Sequence, residues 1–137
     1  MSMATKVSAI EGIGPKYQEK LAEAGISTVE GLLEAACTPK GRQELADKSG
    51  IDKKRILAWA GMADMFRIKG VASQFAELLK AAGVDTIKEL RTRKAENLQQ
   101  KMAEVNAEKK LTKAVPRLEQ VEDFIAQAKE LEPKMSY

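Results

Sequence analysis

The chain contains no histidine and a single cysteine, Cys37. Without histidine it has neither the commonest general base nor the commonest transition-metal ligand, and one thiol cannot form an intramolecular disulfide. Aromatic residues are scarce at 4%, and there are only four prolines. No apolar run approaches the roughly 20 residues of a membrane-spanning helix, and no segment alternates as a strand does. The first nine residues are too short and polar for a secretory leader, so a cytoplasmic protein is the expectation. The sequence also has no glycine-rich loop followed by Lys-Ser or Lys-Thr, and Cys37 has no base partner to activate it. These absences argue against an enzyme, a resident metal and a cofactor.

What is plentiful is Ala, Leu, Glu and Lys. Over 137 residues, 44% are hydrophobic and 31% charged, which points to an all-α domain long enough to bury a core. The net charge of +3 is modest, and residues 1 to 65 hold nine basic and nine acidic side chains, so the whole excess falls in the second half. Any attraction to a polyanion should therefore be weak and salt-sensitive.

The organising stretch is Ile10-Glu11-Gly12-Ile13-Gly14-Pro15-Lys16-Tyr17. Two glycines allow a tight turn and close approach of another backbone, and Pro15 suits the first position of a helix. A turn of this kind directs unpaired N–H groups outward from a helix N-terminus, a geometry that suits an anion and equally serves as a plain interhelix corner. The stretch is echoed 58 residues on: Ile10, Gly12, Glu19, Leu21, Ala24, Gly25, Thr28 and Leu32 are identical to Ile68, Gly70, Glu77, Leu79, Ala82, Gly83, Thr86 and Leu90. Two copies of one supersecondary unit are expected, 1–65 and 66–137, stacked as one compact helical body.

In the first copy the spacing predicts a helix from Pro15 to Ala24 stopped by Gly25, and a second capped by Ser27 with Glu30 as its capping-box partner. A third helix should start at Thr38-Pro39 and end at Gly50, and a fourth should follow Asp52. In the second copy Gly83 is the stop and Asp85 the cap. The stretch from Arg91 to Val115, free of Gly and Pro, should form one long helix or two broken at Asn106. Pro116 opens a last helix with Leu118, Val121, Ile125 and Ala128 on one face. Met1 to Thr5 and Lys134 to Tyr137 should fray.

With these elements placed, the chain resembles tandem helix-hairpin-helix proteins. The resemblance rests on Ile10 to Lys16, on Leu21-Ala22-Glu23-Ala24-Gly25-Ile26 and on Thr28-Val29-Glu30-Gly31-Leu32-Leu33. This pattern resembles the small helical domains of strand-exchange recombinases, DNA ligases and polymerases. The whole chain, including Thr38 to Arg42 and Arg117 to Asp123, also resembles an uncharacterised bacterial family known only as a domain of unknown function. The helix-hairpin-helix resemblance implies sequence-independent contact with DNA phosphates, with Gly12, Ile13 and Gly14 as the cradle and Lys16 and Lys20 beside it. The second copy would supply Gly70 and Val71, although Ala72 and Ser73 replace the second glycine and the proline. Glu11 places a negative charge in the first hairpin. Lys69 and the Arg91, Arg93 and Lys94 group are further basic candidates, followed by Lys109, Lys110, Lys113 and Arg117.

The alternative is a protein-interaction or scaffolding module working through helical faces. Its candidate anchor is Trp59, Met62, Met65 and Phe66, residue types frequent at contact sites. At helical spacing the same four residues also read as core.

Overall fold

Threonine hydroxyls start three of the helices: Thr28, Thr38 and Thr86 each accept a hydrogen bond from the backbone N–H three residues on, belonging to Gly31, Gly41 and Glu89. Each such bond satisfies one of the donors a helix leaves open at its N-terminus. The computed structural model describes residues 5–137. A 3-10 turn at Val7–Ala9 precedes eight α-helices: α1 (Pro15–Glu23), α2 (Val29–Ala36), α3 (Pro39–Ser49), α4 (Lys53–Met65), α5 (Ser73–Ala81), α6 (Ile87–Leu90), α7 (Ala95–Lys109) and α8 (Leu118–Glu130). Among the described residues the only extended pairing is an isolated bridge between Lys6 and Thr28. The all-α expectation is met.

The contacts divide the chain into two units, Met1–Asp64 with Lys134–Tyr137, and Met65–Pro133. In the first unit α3 packs on α1 and α2. Its core holds Ile10, Leu21, Leu32, Ala36 and Ile56, all essentially inaccessible to solvent. An edge-on contact between Tyr17 and Trp59, with ring centroids 5.1 Å apart, ties α1 to α4. In the second unit α7 packs on α5 and α8, and α8 on α6. Its core holds Ile68, Leu79, Val84, Leu90 and Met102, and a tilted Phe75–Phe124 pair at 6.3 Å joins α5 to α8.

Local chemistry corrects four sequence expectations. The caps are Thr28 and Thr86 rather than Ser27 and Asp85; Glu30 accepts instead from the Thr5 N–H, so no capping box forms there. The 91–115 stretch is one helix that begins only at Ala95 and ends where Lys110 turns left-handed, at φ 52°. Asn106 does not break it. Its side-chain amide pairs with the N–H and C=O of Thr112, fastening the chain after the helix back onto its last turn.

The fourth correction concerns Lys134 to Tyr137, which does not fray. Ser136 donates its N–H to the Cys37 carbonyl at 2.8 Å and its carbonyl accepts from Arg42 Nη2 at 2.7 Å. Met135 is buried, and Lys134 pairs with Glu34 at 3.0 Å. Arg42, only 6% exposed, also donates to the Ala36 carbonyl at the end of α2, so its buried charge is met by two carbonyl oxygens. The expectation of fraying at Met1 to Ala4 lies outside the described residues, while Thr5 is held through its N–H by Glu30 and through its C=O by Val29.

Candidate nucleic-acid interface

The first hairpin is a closed turn with an open rim. The Ile13 N–H donates to the Ile10 carbonyl at 3.2 Å, and Gly12 takes φ +95°, a value at which a side chain is strained. Ile13 turns its side chain into the core. Its amide and side chain are both used by the fold, so the implied three-residue cradle reduces to Gly12 and Gly14. Both glycines are exposed, and no described residue accepts a hydrogen bond from either N–H or from those of Lys16 and Tyr17.

Gly14 differs from Gly12 in its backbone and in its surroundings. It sits at φ −84°, ψ −177°, an extended conformation open to any residue, and a Cβ there would meet nothing within 4 Å. Ala72 occupies the corresponding place before α5 in a similar extended conformation. Neither a positive φ nor packing calls for glycine at 14, although as the N-cap of α1 it is a favoured residue there.

Lys16 follows the hairpin directly, and two further cations lie over the Tyr17 ring of the same helix, α1. Lys16 is exposed in the first turn of α1, Lys20 Nζ lies 6.0 Å from the Tyr17 ring centroid, and Arg55 Cζ lies 5.4 Å from the same centroid. Both distances fall within the range of cation–π attraction. The sequence reading missed Arg55. The signal was present in the Lys53-Lys54-Arg55 run at the start of α4, but only the packing of α4 on α1 through Tyr17 and Trp59 brings Arg55 over the Tyr17 ring.

The second hairpin repeats the turn, with the backbone of Lys69 held by a side chain of α8. Gly70 has φ +98° and Val71 donates to Ile68 at 3.1 Å, again with its side chain buried. Here the Gln127 amide pairs with the hairpin backbone: Lys69 donates its N–H to Gln127 Oε1 at 2.8 Å, and Gln127 Nε2 donates to the Lys69 carbonyl at 3.1 Å. Asp123 holds the same nitrogen at 2.8 Å. In place of Lys16 and Lys20 stand Gln74 and the buried Leu78. Of the second-hairpin candidates only the exposed Lys69 side chain and Gly70 face solvent.

The remaining candidates separate. Arg91 donates to the Lys129 carbonyl at 3.1 Å, and Arg93 donates to the Gly83 carbonyl and pairs with Glu89 at 3.0 Å, so both hold the fold together. Lys94 is exposed at the start of α7. Of the four residues that read either as an apolar anchor or as core, Trp59, Met62 and Met65 are 5%, 4% and 0% exposed, and Phe66 is half-buried. Trp59 is spent on Tyr17 and lies under the first hairpin, where its Nε1 is 3.5 Å from the place of a Gly12 Cβ. No group of three or more Cys, Asp or Glu side chains among the described residues could hold a metal ion.

A family model for a domain of unknown function, DUF4332, matches residues 11–131 and so spans both hairpins and all eight helices. The chain belongs to the DUF4332 family. No curated protein and no solved structure matches this DUF4332 domain at a significant level. No helix among its described residues is long and apolar enough to cross a membrane.

Proposed function

We propose that this DUF4332 domain is a non-enzymatic tandem helix-hairpin-helix module that binds nucleic-acid backbone, without reading sequence, through its first hairpin. Three features support the two-copy reading. Gly12 and Gly70 share a positive φ, the turn bonds Ile13→Ile10 and Val71→Ile68 agree, and so do the bonds Ile26→Leu21 and Val84→Leu79, both 2.8 Å, after each following helix. The non-enzymatic part rests on a sequence without histidine and on Cys37, whose Sγ faces the Glu34 carbonyl at 3.7 Å rather than a base.

The observation that carries the binding reading is Gly14. A glycine whose backbone and packing would admit a side chain, beside unpaired N–H groups and followed by Lys16, keeps the surface bare where a phosphate oxygen must approach closely. Glu11 and the small number of cations hold the affinity down, in the range of about 10⁻⁴ to 10⁻⁶ M typical of non-specific binding. The protein-interaction alternative loses its main candidate surface with the burial of Trp59, Met62 and Met65.

The test is fluorescence polarisation with a labelled duplex over a salt series. Replacing Lys16, Lys20 and Arg55 by Gln should flatten the slope of log K against log salt by about 0.9 for each phosphate that is no longer neutralised. Gly14→Ala should weaken binding several-fold while the melting temperature falls by no more than a few degrees. Indifference of the wild-type chain to DNA at low salt, or equal binding by the triple variant, would remove the reading.

A further inference from the structure

Each unit carries a groove at the end of its first helix. In the first unit a groove of about 430 Å³ runs from Ala24 past α2 to α3, and in the second one of about 470 Å³ runs from Ala82 to α7. The two are built from corresponding positions. Gly41, Glu44, Leu45 and Lys48 line the first, and Lys94, Asn97, Leu98 and Lys101, each 53 positions further on, line the second. Glu34 and Ala35 complete the correspondence, 58 positions before Thr92 and Arg93.

The shape is shared and the charge is not. The groove of the first unit holds two carboxylates against one ammonium, and Lys134 already engages Glu34. In the second unit both acidic positions are neutral, as Thr92 and Asn97, while Ala35 and Gly41 have become Arg93 and Lys94. Three cations then line one groove with no carboxylate among the lining residues. Glu89 pairs with Arg93 at 3.0 Å, which leaves Lys94 and Lys101 as the like charges whose repulsion an anion in the groove would relieve.

Arg93 is fixed by its bonds to the Gly83 carbonyl and to Glu89 Oε2, both 3.0 Å. Its pairing uses Nη2, and no described residue accepts from its Nε or Nη1. The Lys94 and Lys101 ammonium groups likewise have no acceptor among the described residues, and Asn97 adds a neutral donor between them. Leu98 is buried and forms the floor.

We propose that this groove is a phosphate-binding site separate from the first hairpin, with Arg93 as the oriented guanidinium and Lys94 and Lys101 as the mobile cations. Its volume is within the usual range for ligand pockets and exceeds what one phosphate fills, so the ligand class is an oligophosphate or a phosphodiester chain.

The site is tested on the full chain by ¹H–¹⁵N spectra titrated with sodium tripolyphosphate at low salt, and in a second arm with a short duplex DNA. Tripolyphosphate should shift the amides of residues 92–101 saturably. The exposed double variant K94Q/K101Q, checked for an unchanged helical spectrum and melting curve, should weaken that binding about tenfold or more, whereas K16Q/K20Q should leave it unchanged. Shifts that the duplex also produces at 92–101 identify a nucleic-acid backbone as the source. Shifts produced by tripolyphosphate alone identify a free oligophosphate, and either result upholds the site. Unsaturable shifts scattered over every exposed lysine, or an affinity unaltered in K94Q/K101Q, overturn it. Because the hairpin reading is probed by the Lys16, Lys20 and Arg55 triple variant against duplex, the two can fail separately.

Discussion

Two glycines in one hairpin do different work. Gly12 and Gly70 lie at φ +95° and +98° and are placed over aromatic side chains: a Cβ at Gly70 would stand 3.0 Å from Phe124 Cε1. Gly12→Ala is expected to cost about 1–2 kcal/mol from backbone strain alone, and Gly70→Ala somewhat more because Phe124 must also move. Gly14→Ala should stay within about 1 kcal/mol of wild type, the usual spread between glycine and alanine at an N-cap. Urea titrations of the three variants give the ranking directly; a destabilisation by Gly14→Ala equal to that by Gly12→Ala would mean that glycine at 14 serves the fold. Arg42 shows the same principle in a charged residue. It is tolerated inside because the Ala36 and Ser136 carbonyls receive its donors, and a buried cation without such partners would be costly.

Among the helices, short length is offset by caps. α6 has four residues, far below what forms alone in water, and rests on the Thr86 hydroxyl, on the buried Ile87 and Leu90, and on its packing against α8. Thr86→Val removes the acceptor for the Glu89 N–H while conserving volume. The expected loss is about 1 kcal/mol, with faster amide exchange at Glu89. A variant as stable as wild type would show that α6 is held by packing alone. The turn between α2 and α3 is tight for a related reason: a Cβ on Gly41 would lie inside van der Waals contact with the Ala35 carbonyl oxygen. The helix pair therefore tolerates only a bare Cα at that corner.

For the molecule as a whole, the segment Lys134 to Tyr137 belongs to the first unit although it follows α8 of the second. Two kinds of contact hold it, and their magnitudes differ. The Lys134–Glu34 pair joins groups with side chains 44% and 75% exposed, where a salt bridge contributes about 0–1 kcal/mol. The buried Met135 should contribute about 2 kcal/mol. Met135→Ala is thus expected to lower the melting temperature and speed amide exchange in α2 and α3, while Lys134→Gln leaves both nearly unchanged. The reverse order would mean that the ion pair holds the segment. At the same scale, all the excess positive charge lies in residues 66–137, yet Lys16 and Lys20 after the first hairpin are replaced by Gln74 and Leu78 after the second. Net charge per segment therefore does not report the charge beside each hairpin.

The sequence alone determined the helical class, the stops at Gly25, Gly50 and Gly83, and the restart at Thr38-Pro39. Each follows from a few adjacent residues, because helix periodicity, left-handed glycine and proline at N1 are local properties of the chain. The caps slipped by one residue between neighbouring polar side chains, since Ser27 and Thr28, or Asp85 and Thr86, differ only in which one the turn leaves extended. Tertiary structure alone decided what the side chains at the hairpins do. Gln127 holds the Lys69 backbone of the second hairpin from 58 residues away, Trp59 folds under the first, and Arg55 lies over the Tyr17 ring. These are contacts between residues far apart in the chain, set by how helices pack, and no local pattern in the sequence encodes them.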